Sequence, residues 1–200
     1  LPEADRSDLA RSIRVQADEL KRLVSNLLDL ARMQSEGVHL NKEWHSVSEI
    51  VGSALGQSTP ILKPRAIRTV LPPDLPLVEV DASLIERVLI NLFDNAAKYT
   101  PPTSTITIRG GASGDSMYLV VEDDGPGLPP TDAKALFEPF TRGQKESSIA
   151  GVGLGLALCR SIVAAHGGTI RAEAHKPRGV VFEIRLPLGT PPEIESEILY

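Results

Sequence analysis

The sequence predicts an α+β protein: a two-layer α/β sandwich with a mixed, largely antiparallel sheet, preceded by one long helix. Residues 1–36 place apolar side chains at alternating spacings of four and three, the repeat of a helix with an apolar seam. Residues 41–188 instead interleave pairs of strand-like runs with helical patterns, as an α/β sandwich does. The 200 residues, of which 42% are hydrophobic, suffice for one such domain and an appendage.

The composition argues against several classes of protein. The net charge of −5 provides no basic field that would attract nucleic acid, and no apolar run approaches the ~18 residues of a membrane span. The single cysteine, Cys159, cannot form an internal disulfide, and its apolar context predicts a small buried side chain. No signal peptide is recognisable, and Leu1 is not an initiator methionine. We therefore expect a piece of a longer protein, with any membrane segment outside it.

The first predicted element is the long helix, which either Asp5 or Ser7 can cap and which Gly37 would end. Its apolar face needs a cover, and two covers are equally expected: the chain's own domain, or a bundle with helices of a second chain. No second long helix of this type follows to complete a hairpin. The seam comprises Ile13, Ala17, Leu20, Val24, Leu27 and Ala31, and it is widened by Leu23, Leu28 and Leu30.

The following elements alternate between helix and strand. The pattern predicts a helix over 46–57, and short strands at IRTV (67–70) and LVEV (77–80) around a proline-rich turn. It then predicts a strong helix over 81–99 and a later one over 152–166.

Two hairpins complete the predicted sheet. Ile106 and Ile108 alternate with polar residues and are followed, across GGASGD, by MYLVVE at 117–122. TIRAEA at 169–174 and VVFEIRL at 180–186 flank HKPRG in the same way. Such antiparallel pairs, interleaved with helices, favour a mixed sheet with one covered face.

The helix over 81–99 carries an unusual polar face. Asn91, Asn95 and Lys98 lie at offsets of zero, four and seven residues and share one side, with Tyr99 at the helix end. Asparagine is a poor helix former, so two of them here indicate a function. Amide oxygens suit Mg²⁺, and a lysine suits phosphate. The alternative is a solvated polar face.

A second motif lies in VEDDGPGLPP, at the end of a strand-like run. Asp123 is followed by Gly125 and Gly127, which leave a turn without side chains beside a carboxylate. A carboxylate accepts hydrogen bonds from amino groups, and the exocyclic amine of adenine is one. The alternative is an ordinary β-turn.

A third motif, GVGLGLALCR, places Gly151, Gly153 and Gly155 directly before an apolar helix. Glycines permit close approach, and a helix start attracts anions such as phosphate. The stretch lacks the Gly-Lys-Ser/Thr end of a P-loop and the preceding strand of a dinucleotide fingerprint. The alternative is a tight turn with close helix packing.

The segment LFEPFTRG, at 136–143, holds Phe137 and Phe140, which we expect to be core anchors. The polar loop after them carries Arg142 and Lys145. A loop of this length before the glycine motif is typical of a lid. The two cations either reach a bound phosphate or are plain solvated charges.

The order of these motifs resembles one family. Asn-x₃-Asn-x₂-Lys-Tyr, Asp-x-Gly-x-Gly, Phe-x-x-Phe and Gly-x-Gly-x-Gly follow one another like the N, G1, F and G2 boxes of two-component sensor histidine kinases. Those kinases have the Bergerat (GHKL) ATP-binding fold. The wording of ERVLINL, DGPGLPP and RGQKES is similar to the KdpD-type branch, which senses potassium and osmotic stress.

The resemblance implies three regions. It places the catalytic and ATP-binding domain at 41–188 and a C-terminal tail at 189–200. Residues 1–36 look like the second helix of a dimerisation and phosphotransfer hairpin. The partners implied are a response regulator and a second copy of the chain, through that hairpin in the longer protein. Nucleic acid is not among them. The implied location is the cytoplasmic part of a bacterial inner-membrane protein, which meets the membrane only through other segments.

The resemblance also implies ATP and Mg²⁺ as cofactors and assigns roles in binding them. Asn95 would ligate Mg²⁺, Asn91 and Lys98 would contact phosphate, Tyr99 would lie against the nucleotide, and Asp123 would accept from the adenine amine. Gly125 and Gly127 would let the base approach. The lid would use Gly151, Gly153 and Gly155 as its hinge, and Arg142 and Lys145 to reach the γ-phosphate.

The resemblance further bears on the reaction. ATPases of this fold carry a water-activating glutamate where this chain has Asn91, and an amide cannot act as that base. We therefore expect transfer to a histidine acceptor rather than hydrolysis. None of the chain's histidines has the family's acceptor context, so we expect no autophosphorylation of this chain alone; they are His39, His45, His166 and His175. We expect His166, at a helix end, to be structural. The alternatives are a degenerate kinase acting as a nucleotide-binding interaction module, and a serine kinase of the anti-sigma class.

Overall fold

The computed structural model describes residues 3–35, 39–128, 133–141 and 153–190. Along the chain the helices and strands are α1 (Glu3–Ser35), β1 (Glu43–His45), α2 (Val47–Leu62), β2 (Ala66–Val70), β3 (Val78–Val80), α3 (Ala82–Tyr99), β4 (Thr105–Ser113), β5 (Ser116–Asp123), a 3₁₀ turn (Ala135–Phe137), α4 (Gly155–Ala165), β6 (Thr169–Ala174) and β7 (Val180–Pro187).

The main sheet has five strands in the order β2-β4-β5-β7-β6. β2 runs parallel to β4, and the other neighbouring strands are antiparallel. Successive side chains of a strand point to opposite faces, so every second residue lies on the same face. One face of this sheet carries buried apolar residues, among them Ile106, Leu119 and Ile184. The helices α3 and α4 pack on that face. The predicted two-layer sandwich, its mixed sheet and both hairpins are confirmed.

The helix α3 is the centre of the helical layer and contacts both α2 and α4. Its apolar stripe follows helical spacing, and Val88, Leu89, Leu92 and Phe93 are fully buried. Cys159 of α4 is buried against this stripe, and its thiol points to the carbonyl of Val88. The predicted small buried side chain is confirmed, and burial raises the pKa of Cys159 to about 12.

Several boundaries and pairings differ from the sequence-based expectation. The strands predicted at 67–70 and 77–80 exist but lie in different sheets: β2 joins β4, whereas β3 pairs with β1, which the pattern did not predict. A strand of three residues, EWH, is too short to show alternation. The helix α2 continues to Leu62, and α4 begins at Gly155, three residues later than predicted.

The long N-terminal helix is covered by its own domain only near its C-terminal end. Leu30 is 6% exposed, and Arg87 of α3 donates to Ser25 Oγ (3.1 Å) and Asn26 Oδ1 (3.0 Å) and pairs with Asp29. The other large apolar side chains described on α1 remain exposed; they are Leu9, Ile13, Leu20, Val24, Leu27 and Leu28. The chain's own domain, one of the two covers expected from the sequence, therefore covers only a small part of the described apolar face of α1.

The start of α1 also corrects a prediction. The helix is already formed at Glu3, so Asp5 and Ser7 lie within it and neither is its cap. Gly37, the predicted stop, lies outside the described residues. Within the described ranges, no helix has the combination of length and apolar character that crossing a bilayer requires.

Candidate nucleotide site

Three sequence motifs meet at the C-terminal half of α3. Asp81 caps the start of α3, and its Oδ1 accepts from the Leu84 N–H at 3.3 Å. Its apolar stripe fixes the rotation of the helix, so the polar side bearing Asn91, Asn95 and Lys98 is left partly exposed at the edge of the core.

The glycine motif reaches the first of these asparagines. A Cβ placed on Gly155, the first residue of α4, would lie 3.3 Å from Asn91 Oδ1. That distance is tighter than most real Cβ contacts, so the amide occupies the space that the missing side chain leaves. The start of α4, with its free backbone N–H groups, therefore lies beside the polar face of α3.

The aspartate motif lies at the end of β5. Asp123 is buried, with 8% of its surface exposed, and its Oδ1 accepts from the Gly125 N–H at 2.9 Å. Burial raises the pKa of Asp123, although hydrogen bonds from Gly125 and Val180 oppose the effect. The site thus holds a desolvated carboxyl group with two backbone donors that keep it oriented.

The turn after Asp123 packs against the end of α3. A Cβ on Gly125 would lie 2.6 Å from Thr100 Cγ2 and 2.8 Å from Asp123 Oδ1, so only glycine fits there. Gly127 has φ +94°, a conformation that glycine adopts at low cost. The aspartate motif and the polar end of α3 are therefore in direct contact.

The turn between β6 and β7 closes the other side of Asp123. Gly179 has φ +111°, and a Cβ there would lie 1.8 Å from the Asp123 carbonyl oxygen. The sequence analysis did not select this glycine. The HKPRG turn was visible as a hairpin loop, but its contact with Asp123 depends on β5 and β7 being neighbours.

Part of the phenylalanine segment contacts the glycine motif. The Phe140 N–H donates to the Gly153 carbonyl at 3.1 Å, and a Cβ on Gly153 would lie 2.6 Å from the Thr141 carbonyl oxygen. Gly153 has φ +73°, so two independent reasons require glycine. Gly151, Arg142 and Lys145, the other residues predicted for the lid, lie outside the described residues.

The two phenylalanines have different environments. Phe137 is buried, as predicted for a core anchor, but Phe140 is 64% exposed and has φ +63°. The prediction of a core role for Phe140 is therefore wrong. A pair of aromatic residues three apart fits a helical face, whereas here the chain leaves the 3₁₀ turn between them, so they point to different sides.

Lys98 has a partner that sequence reasoning passed over. Its Nζ lies 3.1 Å from Asp94 Oδ2, and the Asp94 carboxylate is mostly buried. The i,i+4 spacing of the two residues on α3 would have indicated this pair. Tyr99, in the next position, is 38% exposed at the end of the helix.

His166 has the structural role that the sequence analysis expected. Its Nε2 accepts from the Asp81 N–H at 3.0 Å, so the proton is on Nδ1, which faces the Ile162 carbonyl at 2.8 Å. Burial lowers the pKa of His166. The neutral ring thereby joins the end of α4 to the start of α3 and holds the two helices of the site together.

Comparison with known proteins agrees with this geometry. Residues 80–190 match the family described as histidine kinase-, DNA gyrase B-, and HSP90-like ATPase. The chain is 48% identical over 187 residues to the sensor protein KdpD of Escherichia coli (strain K12), covering 94% of this chain and 21% of that protein.

Two solved structures are similar over most of the chain. The mycobacterial sensor histidine kinase MprB is 31% identical with a TM-score of 0.64, covering 73% of this chain and 97% of that one. Full-length ShkA in complex with AMPPNP is 25% identical with a TM-score of 0.79, covering 94% of this chain and 40% of that one.

The matches cover most of this chain but only part of the longer relatives. The chain spans about one fifth of the length of the curated KdpD proteins that it matches. The matched family region begins at Val80 and contains α3, Asp123 with its turn, and the glycine motif, the same parts that converge in the site. The chain belongs to the histidine kinase-, DNA gyrase B- and HSP90-like ATPase family, as a sensor histidine kinase relative.

Proposed function

We propose that the chain is the ATP-binding catalytic region of a sensor histidine kinase. It would transfer the γ-phosphoryl group of ATP to a histidine on another segment, from which a response regulator receives it. The observation that carries the proposal is the convergence on α3 of two motifs distant in sequence. Gly155 packs on Asn91, and Gly125 packs on Thr100 beside Asp123.

The adenine end of the site rests on Asp123. A buried carboxylate discriminates well between bases with and without an amino group. When the amino group is missing, water does not replace its hydrogen bond. Asp123 would accept from the exocyclic amine, and Gly125 and Gly127 would leave room for the ring. Tyr99, at the rim, would lie against the nucleotide.

The phosphate end would use the polar face of α3 and the start of α4. Asn91 and Lys98 would contact phosphate oxygens, and Asn95 would hold Mg²⁺. The residues fit these ligands because they offer amide oxygens and one ammonium group, and because Gly155 has no side chain to separate the start of α4 from Asn91. When bound, Mg²⁺ supplies positive charge that offsets the charge of the triphosphate.

The lid residues complete the proposal. Gly153, with Gly151, would form the hinge at the start of α4. Arg142 and Lys145 would approach the γ-phosphate when the lid closes and would exclude water from it. Two features would therefore slow hydrolysis. The closed lid would exclude water, and Asn91 stands where an ATPase of this fold has its base. Transfer to a histidine would then compete well with hydrolysis.

The wider context follows from the relatives. The similarity to KdpD supports a role in potassium or osmotic signalling, in a cytoplasmic part of an inner-membrane protein. A second copy would associate through the hairpin to which α1 belongs. The exposed apolar side of α1 supports this arrangement, because a single helix with such a face is stabilised by partners.

The test is calorimetric titration with a non-hydrolysable ATP analogue and Mg²⁺. Wild type should bind saturably. Asp123→Asn should lose at least about tenfold in affinity, because the amide presents donors to the adenine amine in place of a charged acceptor. Asp115→Asn, the same change in the exposed β4–β5 turn, is the matched control and should bind like wild type. A folded wild type that does not bind would refute the proposal.

A further inference from the structure

Arg65 ties the segment after α2 to the end of α3. It lies between α2 and β2 and is partly buried. Its Nη2 donates to the Ala97 carbonyl at 2.5 Å and to the Thr100 carbonyl at 2.6 Å. Its Nε donates to Thr100 Oγ1 at 2.8 Å. A guanidinium fork can satisfy three acceptors in this way, whereas an ammonium group cannot match the geometry.

These contacts occur where a helix most needs a cation. The last carbonyls of α3 have no partners within the helix, and they carry the negative end of its dipole. Arg65 supplies both donors and positive charge to this end. The turn so held contains Lys98 and Tyr99, two of the residues assigned to the nucleotide.

Thr100 passes this constraint on towards Asp123. Its Oγ1 donates to the Ala96 carbonyl at 2.6 Å and accepts from Arg65, so the hydroxyl is engaged on both sides and a single rotamer is selected. That rotamer points Cγ2 at Gly125, close enough to forbid any side chain there. The Gly125 N–H in turn donates to Asp123 Oδ1.

We propose that Arg65 is a positioning residue for adenine recognition. It holds Thr100 in the rotamer that sets the Gly125 turn, and the turn orients the Asp123 carboxylate. Arg65 does not contact the Asp123 carboxylate directly. It acts through two intervening residues, Thr100 and Gly125. The inference rests on the proposed function, because it assumes that Asp123 accepts from the adenine amine.

The primary variant is Arg65→Met, which keeps the length of the aliphatic stem and removes the donors. Its affinity is measured by calorimetry for a non-hydrolysable ATP analogue and for the inosine counterpart, which has a carbonyl instead of the amine. Both titrations are run well below the melting temperature of the variant. We expect the ATP analogue to bind about tenfold more weakly, the lower end of the loss when a supporting residue is removed from a site. The inosine analogue should change much less, so discrimination falls.

Two matched controls separate positioning from general stability. Arg68→Met removes an exposed cation from the adjacent strand β2 and should leave both affinities unchanged. Arg65→Lys keeps the charge without the fork and should give an intermediate loss of discrimination. If Arg65→Met does not fold, Arg65→Lys and the Thr100 variants below decide the question.

The relay through Thr100 is tested by a pair of substitutions. Thr100→Val keeps a methyl group but loses the hydroxyl that Arg65 holds, and Thr100→Ser keeps the hydroxyl but loses the methyl group against Gly125. Both should reduce adenine discrimination, and Arg65→Met should add little on top of Thr100→Val, because the two act through one contact.

The outcomes distinguish this inference from the proposed function. If wild type shows no binding, the proposed function fails and this inference fails with it. If wild type binds and Asp123→Asn binds at least about tenfold more weakly, while folded Arg65 and Thr100 variants keep wild-type discrimination, only the positioning role of Arg65 is refuted.

Discussion

The Asp123 carboxylate is expected to favour nucleotide binding but to lower the stability of the fold. Because burial raises its pKa, the ionised form is less favourable in the folded than in the unfolded chain. The cost is present at pH above the folded pKa and disappears as pH falls below the ordinary value of 3.8.

We therefore expect Asp123→Asn to melt at the same temperature as wild type, or slightly higher, at neutral pH without nucleotide. The substitution removes a charge that the fold does not need, a pattern typical of functional residues. Thermal denaturation followed by circular dichroism checks it, with Asp115→Asn as control. A clear drop in melting temperature would mean that Asp123 is mainly structural.

The neutral imidazole of His166 predicts a dependence of stability on pH. Burial lowers its pKa, so between that value and the ordinary 6.5 the unfolded chain binds a proton that the folded chain excludes. The free energy of unfolding should therefore rise with pH through this window and fall as the solution is acidified.

Urea denaturation at pH 7.5 and 5.5 tests this. His166→Ala should cost about 1–3 kcal/mol at the higher pH, because the Asp81 N–H loses its acceptor. The substitution should also reduce the difference in free energy of unfolding between pH 7.5 and pH 5.5. His39→Ala, in an exposed position, is the control. An unchanged pH difference in His166→Ala would assign the effect to other groups.

At the scale of elements, the glycine motif before α4 contains two positions with different requirements. Gly153 has a positive φ and faces the Thr141 carbonyl, so Gly153→Ala is strained and should cost at least about 1–2 kcal/mol of stability. Gly155 is the first residue of α4, and a Cβ there would meet the Asn91 amide.

Gly155→Ala should therefore keep the fold and weaken binding of the ATP analogue, because Asn91 must move away from its position. Gly52→Ala in α2 is the matched control: nothing lies within 4 Å of its new methyl group, and alanine there should stabilise the helix by about 0.5–1 kcal/mol without changing affinity. Equal affinities for Gly155→Ala and wild type would contradict the proposed role of Asn91.

At the scale of the whole molecule, the chain combines a nucleotide site with a long helix whose apolar side is largely uncovered. Because no histidine here has the context of a phosphoryl acceptor, we expect no phosphorylation of the chain alone with ATP and Mg²⁺. Supplying a dimerisation hairpin with an acceptor histidine should yield acid-labile phosphohistidine on that hairpin.

The same assay separates an active histidine kinase from a degenerate one. Asp123→Asn should abolish the transfer, which ties it to this nucleotide site. Nucleotide binding without any transfer to a cognate hairpin would favour a degenerate kinase that acts as an interaction module. The measurement is stability of the phosphorylated product in acid compared with base.

The secondary structure was largely predictable because its causes are local. The apolar stripe of α3 and the alternation in β4, β5 and β7 each follow from side-chain direction along one element. Failures occurred where local pattern was too short or ambiguous. EWH is three residues long, and Phe140, expected with Phe137 to be a core anchor, is exposed because the chain leaves the 3₁₀ turn between them.

The sequence by itself determined the chemistry of the site. The amides of Asn91 and Asn95, the carboxylate of Asp123 and the glycines are recognisable by residue type and short spacing, because each motif is built within a few residues. The tertiary structure decided which of them meet. Gly155 meets Asn91, and the turn at Gly179 closes on Asp123.

The clearest difference between the two levels is Arg65, which looks like any charged residue beside a proline. The positioning role proposed for it depends on Thr100, 35 residues away, and on the end of a helix that it does not belong to. A contact of this kind forms only when packing of the apolar faces brings α2, α3 and β2 together. Long-range packing, not local pattern, therefore selects the residues that orient the site.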